Sequence, residues 1–256
     1  TPSYGFKLLF HCGLLKQFFP EMVALQGVQS IDDKSHKDNF YHTLQVLDNI
    51  SKHTDDLWLR WAAIMHDIAK PPTKRFNKKV GWTFHGHEDK GARMTPGIFR
   101  RMKLPMGEPM RFVQKLVRLH LRPIAFVKEH ITDSAIRRLL FEAGDEIEAL
   151  MMLCRADITS KNHHKVKRYL QNFDQVERKM KEVEEKDKIR NFQPVITGEM
   201  IMEAFDMSPG RVIGDIKEAL KEAVLEGTIR NECNEAYNYM LQLGREKGLT
   251  VVKKLK

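Results

Sequence analysis

Histidine and aspartate side chains recur on the apolar sides of helical segments in this 256-residue chain. The apolar face of a helix predicted over residues 55–70 leads to the adjacent pair His66 and Asp67, and two later helices lead in the same way to His120 and Asp157. An unpaired buried carboxylate is costly, so it normally lies beside a cation. Because several helices each point such a group inward, we expect the groups to converge on a divalent metal ion.

The pair His66-Asp67 offers an imidazole nitrogen and a carboxylate oxygen from a single turn. Mixed nitrogen and oxygen ligation suits Mg, Mn, Fe, Co, Ni or Zn and does not select among them. A bound ion of this kind lowers the pKa of water and so supplies a hydroxide-like nucleophile near neutral pH. Each histidine taken alone is more often a hydrogen-bonded core residue, but the carboxylates on apolar faces favour the metal hypothesis.

Helical periodicity of the apolar residues dominates the chain and predicts an all-α fold. No run of residues has a convincing strand pattern, and residues 73–86 are predicted to form a polar, glycine-containing loop. The helix over residues 55–70 is expected to stop at Pro71-Pro72. Helices are predicted over residues 4–19 with a break near Gly13, 39–52, 55–70, 87–102, 107–121, 133–143, 145–159, 161–190, a short segment after Thr197, 209–226 and 232–248.

Polar residues and a glycine mark where several of these helices should begin or end. Asp133, Asp145, Thr197 and Ser208 are placed to cap helix N-termini, because their side-chain oxygens can accept hydrogen bonds from the first free N–H groups. Gly227 is placed to end the helix that precedes it.

The net charge of +9 favours polyanionic partners, although many basic proteins bind no nucleic acid. The three cysteines are far apart and form no CxxC pair, so neither a disulfide framework nor a cysteine zinc site is expected. This cysteine usage favours the reducing cytoplasm. No apolar run approaches the roughly 20 residues needed to cross a bilayer, so no membrane partner is expected.

Longer motifs around these residues resemble a known family. The order His42, His66-Asp67 and Asp157 resembles the HD superfamily of metal-dependent phosphohydrolases. The full set of motifs resembles the HD region of bacterial tRNA nucleotidyltransferases, the CCA-adding enzymes of the poly(A) polymerase family. The motifs that carry this resemblance are Tyr41-His42-Thr43-Leu44-Gln45-Val46-Leu47, Met65-His66-Asp67-Ile68-Ala69-Lys70-Pro71, Phe84-His85-Gly86-His87-Glu88, Leu116-Val117-Arg118-Leu119-His120, Ala135-Ile136-Arg137-Arg138-Leu139, Arg155-Ala156-Asp157 and Pro194-Val195-Ile196-Thr197-Gly198.

The resemblance implies a set of metal ligands. The residues that it implies as core ligands are His42, His66, Asp67 and Asp157. His87 and His120 match positions that hold a second metal or face the substrate phosphate. His36 could line the mouth of the site, although a plain surface histidine is the simpler interpretation.

Basic residues near these motifs are candidate phosphate ligands. Lys70 could reach a phosphate oxygen, or it could be a surface lysine that complements a helix dipole. Arg118 and Arg137 could clamp a phosphate through their planar guanidinium groups, or could form structural ion pairs. The helix start at Gly210 and Arg211 offers free backbone N–H groups to an RNA phosphate, or is an ordinary capped helix.

The resemblance covers nearly the whole chain and implies three regions. These are a helical segment at residues 1–30 that follows a nucleotidyltransferase head in the family, an HD domain at 31–160, and a charged helix with a C-terminal tRNA-contacting region at 161–256. The family's head, with its Gly-Ser motif and Asp-x-Asp pair, has no counterpart in this sequence. We therefore expect the C-terminal part of a longer enzyme, which would not add CCA by itself.

The expected function is the HD and tRNA-binding part of a tRNA nucleotidyltransferase that acts in CCA addition or repair. Such a chain would bind tRNA by shape and phosphate contacts. As the resemblance suggests, its HD site would hydrolyse phosphomonoesters or 2′,3′-cyclic phosphates. Two alternatives remain open at this point: a stand-alone HD phosphohydrolase acting on small nucleotides, and a binding module with a degraded metal site. The complete ligand set argues against the second.

Overall fold

A computed structural model describes residues 1–28, 30–31, 34–35, 37–127, 131–160 and 162–253. Over these residues the chain forms fifteen α-helices and two short β-hairpins, so the prediction of an all-α fold is confirmed. The helices are α1 (Pro2–His11), α2 (Leu14–Phe18), α3 (Pro20–Val23), α4 (Asn39–Ser51), α5 (Leu57–Met65), α6 (Lys70–Thr73), α7 (His87–Arg101), α8 (Glu108–Leu119), α9 (Leu121–Phe126), α10 (Asp133–Ala143), α11 (Ile147–Asp157), α12 (His163–Asp187), α13 (Gly198–Phe205), α14 (Arg211–Glu226) and α15 (Cys233–Glu246). The strands are β1 (Ser30–Ile31), β2 (Lys34–Ser35), β3 (Arg75–Asn77) and β4 (Gly81–Thr83).

The described residues divide into two compact units. The first contains residues 1–127 and 145–177, and the second contains residues 131–144 and 178–253. Helix α12 therefore contributes its N-terminal part to the first unit and its C-terminal part to the second. None of the described helices is both long and apolar enough to cross a bilayer.

The core of the first unit is built around α5, which contacts α4, α8 and α11, while α7 packs along α8. These helices bury the apolar residues that give them their periodicity. The buried side chains include Leu44, Leu47, Leu59, Ala62, Ala63, Val113, Leu116, Val117, Leu150 and Leu153. The helices that carry the predicted metal ligands are thus mutual neighbours.

The helix predicted over residues 55–70 is shorter than expected. Helix α5 ends at Met65, and the chain then turns through residues 66–69 before α6 begins. Pro71 and Pro72 do not stop a helix, because they lie within the first turn of α6. Proline is tolerated there, since the first N–H groups of a helix have no carbonyl partner. His66 and Asp67 consequently lie in a turn.

Residues 73–86, predicted as a loop, contain the antiparallel hairpin β3–β4. Phe76 is paired with Trp82 across the hairpin, and their rings meet edge to face at 5.2 Å between centroids. Each strand has only three residues, which is too short for an alternating pattern to stand out in the sequence. Packing of Phe76 against Trp82 across the two strands stabilises the hairpin.

Three of the predicted caps are wrong by one or two residues. Thr132, and not Asp133, caps α10 by accepting a hydrogen bond from the backbone N–H of Ala135. A 3₁₀ turn over Gly144–Glu146 precedes α11, so Asp145 does not cap it. Helix α14 starts after Gly210, and Ser208 does not cap it. The predictions for Thr197, which caps α13, and Gly227, which ends α14 with φ 78°, are confirmed.

The second unit packs α14 against α10, α13 and α15. A glycine permits one close approach, because a Cβ atom at Gly244 would lie 2.2 Å from the ring of Phe205. Arg137 of α10 is buried in this unit, where its Nε lies 2.7 Å from Asp187 and its Nη1 donates to the carbonyl of Glu226 at 3.5 Å.

Candidate metal centre

Three buried histidines hold their rings in the same way. The Nδ1 atoms of His66, His87 and His120 each lie 2.7 Å from the backbone carbonyl three residues earlier. A carbonyl oxygen can only accept, so each Nδ1 carries a proton, and each Nε2 is directed toward Asp67. This is how metal-ligating histidines are oriented in proteins.

Asp67 lies at the centre of the cluster and is 1% exposed. Its Oδ2 lies 3.2 Å from the Nε2 of His66 and 3.6 Å from the Nε2 of His42. Its Oδ1 lies 3.2 Å from the Nε2 of His87 and 3.9 Å from the Nε2 of His120. The two oxygens of one carboxylate therefore face two different pairs of histidines.

Asp157, at the end of α11, completes the first of these groups. Its Oδ1 lies 2.8 Å from the Nε2 of His42 and 3.6 Å from the Nε2 of His66. The predicted core ligands thus meet in one place. The two accessory histidines, His87 and His120, meet on the other side of Asp67. The cluster thus contains two groups of three residues, His42-His66-Asp67 and Asp67-His87-His120. Within each group the candidate ligand atoms lie within 4.8 Å of one another.

The donor set fits a divalent metal. Within the described residues, the buried Nε2 atoms of His66, His87 and His120 have no hydrogen-bond partner, despite their short distances to Asp67. A buried polar atom without a partner costs about 1–3 kcal/mol, so three in one cluster need an explanation. Imidazole nitrogens and carboxylate oxygens converging from five segments are a suitable ligand set for Mn, Fe, Co, Ni, Zn or Mg.

The cluster holds two ionised carboxylates beside positive charges. Burial opposes protonation of His66, but its interactions with Asp67 and Asp157 outweigh burial and raise its pKa to about 10. Burial would raise the pKa of Asp67, yet the positive charges of His66 and Lys70 hold it well below its usual value. Burial would raise the pKa of Asp157, but its interactions with His42 and with the charge of His66 hold it below its usual value.

Two of the histidines are held neutral. Burial, reinforced by the charge of His66, lowers the pKa of His120 to about 4. Burial likewise lowers the pKa of His42. Because a ligating imidazole carries no positive charge, the lowered pKa values favour both rings as ligands.

Lys70 lies beside the cluster and forms an ion pair with Asp67. Its Nζ is 2.6 Å from Oδ2 of Asp67 and 5.6 Å from the centre of the Phe84 ring. A pocket of about 430 Å³ opens next to it. The lining residues of this pocket are Lys70, Trp82, Thr83, Phe84, His85, Gly86, His87, Glu88 and Leu121. Lys70 and His87 therefore line an open cavity and also lie in or beside the histidine–aspartate cluster.

Two family models match this chain, and several known proteins are similar to it. Residues 39–162 match the family model of the HD domain, and residues 116–236 match that of tRNA nucleotidyltransferase domain 2. An A-adding tRNA nucleotidyltransferase of Deinococcus radiodurans is 29% identical over 231 residues, which cover 88% of this chain and 51% of the relative. A CC-adding tRNA nucleotidyltransferase of Thermus thermophilus is 28% identical over 250 residues, which cover 93% of this chain and 52% of the relative.

The chain matches the HD domain and tRNA nucleotidyltransferase domain 2, and it is similar to tRNA nucleotidyltransferases over most of its length. A shorter match, 33% identical over 121 residues, is to a multifunctional CCA protein of Pseudomonas paraeruginosa and covers 46% of this chain and 27% of the relative. The predicted family resemblance is confirmed. The chain spans about half the length of the Deinococcus and Thermus relatives.

Two neighbours of the HD cluster were not predicted from the sequence. The Nδ1 of His42 lies 2.9 Å from Oγ1 of Thr159 and 2.6 Å from Nζ of Lys37. Lys37 also donates to the hydroxyl of Thr159. Thr159 follows Asp157 by two residues and Lys37 precedes His42 by five, but neither spacing is a recognised signal. Thr159 and Lys37 orient the ring of His42, which has no carbonyl partner of the kind that the other three histidines use.

The other residues predicted to bind phosphate lie outside the cluster. Arg118 is exposed, and its Nε lies 3.8 Å from Asp89. Arg137 makes the ion pair with Asp187 described above, which agrees with its structural alternative. Gly210 and Arg211 are exposed at the start of α14 in the second unit. His36 lies outside the described residues.

Proposed function

We propose that this chain is the HD and tRNA-binding part of a tRNA nucleotidyltransferase acting in CCA addition or repair, and that its HD site is a metal-dependent phosphohydrolase. The observation that carries the hydrolase proposal is the convergence of buried imidazole Nε2 atoms on both oxygens of Asp67. A single carboxylate with histidines on both sides is suited to share two divalent ions. The first ion would be held by His42, His66, Asp67 and Asp157, and the second by Asp67, His87 and His120.

When bound, such ions act as Lewis acids toward a phosphoryl oxygen and lower the pKa of water. The contribution of the chain is positional. The carbonyl partners of His66, His87 and His120 fix each ring with Nε2 toward Asp67. Lys70, at the edge of the pocket, is placed to donate from Nζ to a phosphate oxygen and to stabilise the charge that develops there.

The proposed substrates of the HD site are phosphomonoesters and 2′,3′-cyclic phosphates, and the proposed macromolecular partner is tRNA. The names of the relatives and the net charge of +9 support the choice of tRNA. A basic surface gains affinity for RNA by releasing counterions, so tRNA binding should weaken as salt increases. Binding that does not change with salt would contradict the proposed phosphate contacts. The proposed compartment is the cytoplasm.

The hydrolase proposal is tested by metal analysis together with phosphatase and cyclic-phosphodiesterase assays. Replacing the shared carboxylate by an amide, Asp67→Asn, should remove bound metal. It should also lower kcat/KM by more than the roughly 10- to 100-fold that loss of an outer-shell partner causes. Asp89→Asn removes an exposed carboxylate paired only loosely with Arg118, and should leave both measurements near those of the wild type. Absence of metal and of turnover with every added divalent ion would disprove the proposal.

A further inference from the structure

The segment that leads from Lys70 to His87 is both basic and aromatic. Residues 70–87 contain five lysines and arginines and no aspartate or glutamate. We call residues 74–85 the basic hairpin, because they comprise β3, β4 and their flanking residues. Its cationic residues are Lys74, Arg75, Lys78 and Lys79, and its aromatic residues are Phe76, Trp82 and Phe84. The metal ligands do not explain this composition.

Cations and rings alternate in space as well as in sequence. The Nζ of Lys74 lies 4.3 Å from the centre of the Trp82 ring, which in turn packs against Phe76. The Nζ of Lys70 lies 5.6 Å from the centre of the Phe84 ring. Trp82 and Phe84 are both partly exposed and both line the pocket beside the metal cluster. Aromatic rings interleaved with cations bind the bases and phosphates of single-stranded nucleic acid.

The pocket joins this surface to the metal cluster. Its wall continues from Trp82 and Phe84 to His87, whose Nε2 lies 3.2 Å from Oδ1 of Asp67. Lys78 and Lys79 lie in the turn of the hairpin and are exposed. A chain that places its last base in the pocket would therefore bring its terminal phosphate toward His87 and Lys70, and its preceding phosphates toward the hairpin.

We infer that the basic hairpin binds the 3′-terminal nucleotides of an RNA strand and directs the terminal phosphate into the HD site. The inference rests on the proposed hydrolase function and specifies its substrate as an RNA end. The terminal base stacks on the aromatic wall, and the lysines contact the backbone. Hydrolysis consumes one water, whose oxygen bonds to phosphorus as a P–O bond to ribose breaks and the released ribose oxygen takes up a proton.

The inference is tested with two substrates that carry the same reacting group. One is an oligoribonucleotide of about eight residues ending in a 2′,3′-cyclic phosphate, a length within the range that single-strand-binding surfaces cover. The other is a nucleoside 2′,3′-cyclic phosphate. The wild-type chain, assayed with Mn²⁺, should have the lower KM for the oligonucleotide, and this KM should rise with salt while that of the nucleotide changes little.

Two sets of variants distinguish contacts to the RNA backbone from contacts to the terminal base. Lys78→Gln with Lys79→Gln should raise the KM for the oligonucleotide by about tenfold and flatten its salt dependence, with little effect on the nucleotide. The matched control Lys7→Gln with Lys16→Gln removes the same charge from exposed positions of α1 and α2 and should change neither KM. Trp82→Ala should raise the KM for both substrates, by roughly 5-fold or more, and Trp82→Phe should restore most of the loss.

A binding measurement keeps this test separate from that of the hydrolase. Fluorescence anisotropy of the labelled oligonucleotide in EDTA reports hairpin binding without turnover, and here too the Lys78, Lys79 variant should bind more weakly than its control. Equal KM values for the two substrates in a metal-dependent reaction would overturn the inference while the hydrolase proposal survives. Competition by poly-glutamate as strong as that by unlabelled RNA would also overturn it, because the surface would then recognise charge alone.

Discussion

Asp67 is the residue on which the proposed metal centre depends most directly. Each of its oxygens faces two histidines, and the Nζ of Lys70 lies beside Oδ2. Replacing this carboxylate would remove the one group that faces all four histidines. Asp67 also affects the adjacent His66. Although burial opposes protonation of His66, Asp67 and Asp157 stabilise its protonated form and raise its pKa to about 10.

Metal binding to the purified chain should release close to one proton near pH 7. Without metal, His66 is protonated at this pH because its pKa is about 10, and a ligating imidazole must be neutral. The apparent metal affinity should therefore rise by up to about tenfold per pH unit as pH increases toward 10. Calorimetric titration with Mn²⁺ in two buffers of different ionisation enthalpy measures the proton count, and a count of zero would contradict the charge assignment.

At the scale of elements, the site is made by the ends of helices and the turns between them. Helix α5 ends immediately before His66, α8 ends immediately before His120, and α7 begins at His87. At these ends the carbonyls three residues earlier are available to accept from Nδ1, which a longer helix would have engaged with backbone N–H groups. The early end of α5 is therefore part of how the site is built.

Helix packing in the second unit should depend on Gly244. A Cβ atom there would lie 2.2 Å from the buried ring of Phe205, so Gly244→Ala should lower the free energy of unfolding by about 1–3 kcal/mol. Gly214 of α14 is the matched control, because nothing lies within 4 Å of a Cβ atom at that position. Gly214→Ala should be neutral or stabilising by up to about 1 kcal/mol. Urea unfolding of both variants measures the difference, and equal effects would contradict the packing.

At the scale of the whole molecule, the proposed metal centre links parts of the first unit that are far apart in sequence. His42 and Asp157 are separated by more than a hundred residues, yet their side chains lie 2.8 Å apart. An ion that binds only the folded chain therefore stabilises the entire first unit. The second unit carries no residue of the cluster.

Divalent metal should raise the melting temperature of the chain, and a chelator should lower it. An ion present at about 100 times its Kd stabilises the folded state by about 2.7 kcal/mol. The shift should be reduced in part in His120→Ala, which removes a ligand from the second group but leaves the first group complete. It should be retained in His53→Ala, which lies outside the cluster. Thermal unfolding with Mn²⁺ and with EDTA measures these shifts. A variant lacking His120 that still responds as fully as wild type would argue against a second ion.

Much of the site could be predicted from the sequence because its ligands lie at the ends of strongly periodic apolar helices. His42, His66, His120 and Asp157 were all identifiable in this way or by family resemblance, and the structure brings them together around Asp67. The boundaries of the elements were less predictable. The end of α5, the hairpin β3–β4 and the caps of α10, α11 and α14 depend on a few contacts and differ from the sequence predictions.

By itself, the sequence determined the helical class, the family resemblance and the identities of the clustered residues, because apolar periodicity and ordered motifs are local properties of the chain. The tertiary structure decided how the ligands are shared. That the two oxygens of Asp67 face different histidine pairs, that Thr159 and Lys37 hold His42, and that Arg137 pairs with Asp187 all depend on contacts between distant segments. Packing of the helices sets those contacts, and no spacing along the chain encodes them.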